Sequence, residues 1–152
     1  MVKLGQNFLA DPNLLEAIVR DAALSPDDVV LEVGAGEGVL TERLAEVARQ
    51  VHVIEIDRGL EPGLVEVMAR PNVNMVWADA VRYDLSQLDP APTAMVANLP
   101  YAVATPVILQ TAFELPGIAS WNVMVQKEIG DRLRAGPGSK TYGAPSVLIQ
   151  LA

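Results

Sequence analysis

The stretch Asn98-Leu99-Pro100-Tyr101 carries the sharpest chemistry in the chain. An exocyclic amine on a nucleobase is a poor nucleophile because its lone pair is delocalised into the ring. Two hydrogen-bond acceptors correct this. They bind both amine protons and favour a pyramidal nitrogen whose lone pair is free to attack. The side-chain carbonyl of Asn98 and a backbone carbonyl, that of Leu99, supply such a pair. Pro100 has no N–H and confines Leu99 to an extended shape, which aims that carbonyl. Tyr101 offers a flat face on which an extruded base can stack. No strong general base is required, because the amine becomes acidic once alkylated and can lose its proton to water. The bland alternative is a strand followed by an Asn-Pro-type turn.

Three other stretches could hold a ligand beside that motif. Val29 to Gly38 reads V-V-L-E-V-G-A-G-E-G. An aliphatic run stops at glycines and a helical pattern follows, as when a buried parallel strand feeds a helix. Gly34, Gly36 and Gly38 let the backbone turn tightly and approach a ligand. The helix beyond offers unpaired N–H groups. The spacing is G-x-G-x-G, and Val39 stands where the third glycine of a dinucleotide fingerprint would fall. Glu55 closes the run V-H-V-I-E and lies about twenty residues past the first glycine, where nucleotide-binding α/β folds put a carboxylate on ribose hydroxyls. Asp79 closes a third strand. It can accept a hydrogen bond from an adenine amine, and the Ala80 N–H can reach a ring nitrogen. A glycine turn in another α/β domain, a solvated strand-end acid and a turn aspartate are the respective alternatives.

Strands alternating with helices must position these residues. Asp11 can cap a helix that has Pro12 in its first turn and an apolar stripe of Leu14, Leu15, Ile18, Val19 and Ala22. Strands are expected over 29–33, 51–57, 73–78, 94–97 and 121–125. Leu40, Leu44 and Val47 line one face of a helix after the glycines. A weaker helix starts late, near Pro62, because Gly59, Pro62 and Gly63 lower its propensity. Thr105-Pro106 opens a helix through Phe113, 127–134 is helical, 135–143 is a loop, and Pro145 starts a last helix. This alternation argues for a parallel sheet with right-handed crossovers. Ligands in such sheets bind at the carboxyl ends of the strands, so the four signals fall on one edge.

The 152 residues suffice for one domain with a real core, 51% hydrophobic and poor in aromatics. No apolar run is long enough to span a bilayer, and the start carries no signal-peptide pattern. The absence of cysteine excludes disulfides and thiolate metal sites and fits a reducing cytoplasm. The single histidine, His52, alternates with valines in a strand and reads as structural, which argues against histidine catalysis or a metal cluster. The net charge of -8 argues against a general polyanion-binding surface, so any nucleic-acid role needs local basic patches.

The glycine spacing with Glu32 before it resembles the loop of S-adenosylmethionine methyltransferases. The resemblance then narrows. Gly5-Gln6-Asn7-Phe8-Leu9, Glu32-Val33-Gly34, Glu55-Ile56-Asp57-Arg58, Asn98 to Tyr101, Gln126-Lys127-Glu128 and Gly136 to Gly143 occur in the order found in the KsgA-like ribosomal RNA adenine N6-dimethyltransferase family. The resemblance covers essentially the whole chain. It implies a Rossmann-like class I methyltransferase fold over residues 1–152. It implies transfer of methyl groups from S-adenosylmethionine to the N6 amines of two adjacent adenosines near the 3′ end of small-subunit ribosomal RNA, in a pre-ribosomal particle. Asn7 and Leu9 would close over the cofactor, with Gly34 at its methionine portion and Gly36 also against the cofactor. Glu55 would hold the ribose and Asp79 the adenine, with Ile56 and Ala80 also against the cofactor. Asn98 would face both cofactor and amine, while Lys127, Arg132 and Lys140 would help meet RNA phosphates.

Three features depart from the family's pattern. The basic arm before Gly5 is almost absent. Gly59 and Pro62-Gly63 interrupt a normally regular helix. The chain is expected to stop before the last two strands of a seven-stranded sheet and before a small helical C-terminal domain. Two other functions fit parts of the pattern: a non-catalytic RNA-binding ribosome-assembly module, and a related large-subunit methyltransferase conferring antibiotic resistance. DNA and protein-glutamine methyltransferases share the Asn98 motif but leave Gly5 to Leu9 unexplained.

Overall fold

A computed structural model describes residues 11–152. Five parallel strands form one sheet: β1 (Val29–Val33), β2 (Gln50–Glu55), β3 (Val73–Trp77), β4 (Ala94–Asn98) and β5 (Ser120–Met124), in the order β3-β2-β1-β4-β5. The chain winds outward from β1 to β3, returns to the other side of β1 and continues to β5. The order therefore reverses between β1 and β4, and that switch point opens a crevice at the strands' carboxyl ends.

Side chains alternate across the sheet. Val30, Val51, Val53 and Val96 pack with Leu15 and Ile18 of α1 (Pro12–Ala22) and with Leu40 and Leu44 of α2 (Val39–Val47). Leu31, Val33, Ile54 and Met95 pack on the opposite face against Ala104, Val107 and Ile108 of α4 (Tyr101–Glu114) and Ile129 of α5 (Lys127–Arg134). Each fully buried Leu or Ile contributes roughly 1.5–3 kcal/mol of transfer free energy. Asp11 caps α1 as expected, its carboxylate accepting from the Asn13 N–H at 2.9 Å.

His52 is buried and has both ring nitrogens engaged. Nε2 lies 2.8 Å from the Pro90 carbonyl, and Nδ1 lies 3.0 Å from the Asn74 carboxamide nitrogen. The neutral ring with its proton on Nε2 satisfies both contacts. Burial lowers its pKa, so the structural reading of His52 holds.

Several boundaries differ from expectation. The fourth helix starts at Tyr101 and runs through Pro106. Pro100 caps it, its carbonyl accepting from the Val103 and Ala104 N–H groups. The helix thus begins before the residue that seemed to open it, and packing offsets the hydrogen bond that Pro106 cannot donate. After Glu55 the backbone forms a 3-10 turn over Arg58–Gly63, and the short α3 (Val65–Met68) begins only past both glycines. Val47 and Leu14 lie outside the buried faces of their helices, with Thr41 and Ala45 buried on α2 instead. The last helix, α6 (Ala144–Leu151), has Pro145 in its first turn.

Candidate functional site

The crevice is built by register. Val30 and Leu31 of β1 pair with Ala94 and Met95 of β4, which brings Gly34 level with Asn98. A Cβ on Gly34 would lie 3.9 Å from the Asn98 carbonyl oxygen, and Gly34 has φ +84°. The first glycine and the amide-bearing residue are therefore neighbours across the switch point. Gly38, φ +82°, is required for a second reason. A Cβ there would fall 2.7 Å from Leu64 Cδ2 and 3.1 Å from Val67 Cγ2, so only glycine lets α2 start against α3.

Glu55 reaches across the loop. It is buried, yet each carboxylate oxygen holds one backbone donor: Oε2 accepts from the Gly36 N–H at 3.3 Å and Oε1 from the Asp57 N–H at 2.9 Å. A carboxylate has about four acceptor positions, so capacity remains for two hydroxyl donors. The same bonds fix Glu55 against the glycine loop. Ile56, beside it, is 69% exposed, an apolar side chain facing solvent at a strand end. Arg58 lies 5.9 Å from the centre of the Trp77 ring, within cation–π range, and ties the turn after Glu55 to the end of β3. Asp79 follows that end. Its Oδ1 accepts from the Val81 N–H at 3.0 Å, and its Oδ2 lies 3.6 Å from Arg82 Nε. Ala80 is buried beside it.

Asn98 ends β4 half-buried, and its carboxamide makes no hydrogen bond among the described residues. Leu99 is buried and anchored by its N–H to the Met124 carbonyl at 2.9 Å. Pro100 holds φ −59° and ψ 148°, an extended geometry. Tyr101 is 47% exposed on the first turn of α4. Gly34, Gly36, Glu55 and Asn98 thus meet at one crevice, with Asp79 two strands from β1 along the same edge. Asn7 and Leu9 lie outside the described residues.

The three candidate RNA-contacting cations cluster around α5. Lys127 is already paired, its Nζ 2.6 Å from Asp131 Oδ2. Arg132 and Lys140 line a cleft next to it.

Glu32 is a feature that sequence reasoning noted without a role. It sits on β1 on the α2 face, 1% exposed, and neither carboxyl oxygen has a hydrogen-bond partner among the described residues. Burial pushes its pKa up to about 8; the Thr41 hydroxyl pulls the other way and the Glu55 charge adds to the rise. The Thr41 hydroxyl itself closes no hydrogen bond, so burial dominates. The signal was present: an acid inside an otherwise aliphatic strand is rarely solvated.

Comparison with known proteins decides the family. A family model described as ribosomal RNA adenine dimethylase matches residues 2–152. The chain belongs to this family. Among its relatives, the ribosomal RNA small subunit methyltransferase A of Alkaliphilus metalliredigens is 45% identical over 153 residues, covering 97% of this chain and 53% of that protein. The dimethyladenosine transferase of Plasmodium falciparum superposes with a TM-score of 0.80 at 27% identity, over 93% of this chain and 51% of that one. The 23S rRNA methyltransferase ErmE superposes with a TM-score of 0.72 at 35% identity, over 83% of this chain and 50% of that one. The chain spans about half the length of the curated relatives it matches. The dimethylase family and its class I methyltransferase fold agree with the five-stranded parallel sheet. Among the described residues no helix is long and apolar enough to cross a membrane, and no cluster of His, Cys, Asp or Glu could hold a metal.

Proposed function

We propose that residues 1–152 form a catalytic domain that transfers methyl groups from S-adenosylmethionine to the N6 amines of two adjacent adenosines in small-subunit ribosomal RNA. Its setting in this reading is a pre-ribosomal particle in the cytoplasm. One observation carries the reading: the uncommitted Asn98 carboxamide stands level with Gly34 at the switch point, one strand from the buried Glu55 carboxylate.

The residues fit S-adenosylmethionine. Glu55 keeps acceptor capacity for ribose hydroxyls, Gly34 leaves room where a side chain would intrude, and Ile56 presents an apolar surface. When bound, the sulfonium supplies an electrophilic methyl group. The Asn98 Oδ1 and the Leu99 carbonyl accept the two N6 protons of the adenine and favour a pyramidal nitrogen. Tyr101 stacks the extruded base. Holding amine and methyl in line supplies much of the acceleration. The alkylated amine then gives its proton to water. Asp79, already turned toward its own loop, retains an acceptor position for an adenine amine, with the Ala80 N–H beside it. Asn7 and Leu9 are proposed to cover the cofactor, and Lys127, Arg132 and Lys140 to meet phosphates. The names of the curated relatives favour the small subunit.

The test is transfer of labelled methyl groups to undermethylated small subunits. Wild-type chain should label the RNA, while Asn98→Ala should lose transfer yet bind S-adenosylmethionine within about tenfold, since one neutral hydrogen bond contributes about 0.5–1.5 kcal/mol at most. Undiminished transfer by the variant would remove Asn98 from the mechanism.

A further inference from the structure

Among the described residues, Glu32 is the buried ionisable group beside the crevice that no step above uses. It stands on β1 two residues before Gly34, about 7 Å along the strand. Its side chain shares the α2 face of the sheet with Val30, Val53 and Val96. Both carboxyl oxygens are sealed from solvent without a hydrogen-bond partner, and so is the Thr41 hydroxyl on α2. A leucine would fill this place in an aliphatic strand without the cost of an unpaired buried acid. Packing therefore supplies no reason for the acid, and its position under the glycine loop does.

Few charges bear on it. Glu32 pairs with Val53, which puts Glu55 diagonally across the strand pair. The charged side chains of the two helices on this face are all exposed: Glu16, Arg20 and Asp21 on α1, and Glu42, Arg43 and Glu46 on α2. Glu37 in the glycine loop is exposed too. His52 faces the opposite side of the sheet, where it meets the Pro90 carbonyl. Burial raises the Glu32 carboxyl to about 8, against a pull from the Thr41 hydroxyl and with a push from Glu55. In the free chain the group is mostly neutral at pH 7, and no cation faces it among the described residues.

The cofactor would bring the missing charge. S-adenosylmethionine carries a positive sulfur, and S-adenosylhomocysteine a neutral one. A unit charge about 8 Å from a carboxyl, at an effective dielectric of about 20, changes its proton affinity by roughly thirtyfold. A sulfonium over Gly34 therefore turns Glu32 from mostly neutral to mostly ionised near pH 7. When the methyl carbon bonds to the amine nitrogen, the carbon–sulfur pair stays on sulfur and the positive charge there disappears. The carboxylate then takes a proton back from solvent.

We propose that Glu32 is the countercharge by which the site distinguishes S-adenosylmethionine from its demethylated product, giving up a proton as the sulfonium enters and regaining one when the sulfur becomes neutral. This rests on the cofactor reading above.

The test is calorimetry of both ligands with wild type and Glu32→Gln. Between about pH 6 and pH 8 the affinity ratio of S-adenosylmethionine to S-adenosylhomocysteine should rise about tenfold more in wild type than in Glu32→Gln. Titration of each ligand's own amine is common to both proteins and cancels, as do the ribose contacts of Glu55. A second measurement needs no variant. Carboxyl NMR of wild type carrying carbon-13-labelled glutamate should show one carboxyl titrating near pH 8 in the free chain. That titration should fall by about 1.5 pH units with S-adenosylmethionine bound and stay in place with S-adenosylhomocysteine. A ratio that changes equally in the two proteins, or the same titration in both complexes, overturns the role of Glu32 and leaves the cofactor site standing. If neither ligand binds, the cofactor reading and the role of Glu32 fall together.

Discussion

Replacing Glu32 with Gln should flatten the pH dependence of stability. Glu32 is buried on β1 below the glycine loop, without a hydrogen-bond partner among the described residues. Its carboxyl is raised from an ordinary 4.5 to about 8, first by burial, with Glu55 adding to the rise. The folded value lies above the unfolded one, so the contribution to stability is complete below about pH 4.5 and is lost as pH rises toward 8. In that window the unfolded chain is ionised while the folded chain stays neutral, and each pH unit costs about 1.4 kcal/mol. Between about pH 5 and pH 7.5 the wild type should lose about 3 kcal/mol that Glu32→Gln does not lose. For a chain of this size that is roughly 6–12 °C in melting temperature. The neutral amide carries its own cost of burying unpaired polar groups, about 1–3 kcal/mol, but that cost is the same at both pH values. The decisive quantity is therefore the difference between the two proteins' stabilities, followed by urea or thermal melts across the range. Other titrating groups cancel in it. Parallel pH profiles for the two proteins would refute the argument, because they would mean that Glu32 is ionised and satisfied in the folded state.

Two further substitutions test the crevice. Glu55→Ala should weaken S-adenosylmethionine binding by about 1–3 kcal/mol, roughly five- to 150-fold, through loss of a charge-assisted hydrogen bond; calorimetry giving an unchanged dissociation constant would take Glu55 out of the site. Gly38→Ala should destabilise the fold by roughly 2–4 kcal/mol, combining a left-handed backbone with a clash against buried Leu64, and a urea midpoint equal to wild type would show that the loop relaxes freely.

Much of the site was readable from residue order. An aliphatic run, three glycines two apart and a helical pattern permit few geometries, and Glu55 at its offset could reach the loop only if β2 lay beside β1, as it does. The Asp11-Pro12 start of α1 and the 127–134 helix were equally direct, because caps and local periodicity act within one turn. What escaped depends on contacts distant in sequence. Pro106 signals a helix start locally, yet α4 begins five residues earlier because Ala104, Val107 and Ile108 bury against the sheet. Val47 fits the apolar stripe of α2 by spacing, but the buried face of that helix is Leu40, Thr41, Leu44 and Ala45, and Val47 stays 38% exposed. The missing partner of Glu32 is a property of the packed loop, as is the cleft, which joins α5 to a loop several residues further on.

The central claim is that the β1–β4 crevice holds S-adenosylmethionine with its reactive methyl group toward Asn98. A crystal structure with S-adenosylhomocysteine bound tests it most directly. The account predicts the ligand lying across Gly34 and Gly36, its ribose hydroxyls on the Glu55 carboxylate and its sulfur facing Asn98. A ligand seated elsewhere, or a Glu55 carboxylate that stays bound only to the Gly36 and Asp57 N–H groups with the ribose out of reach, would contradict it.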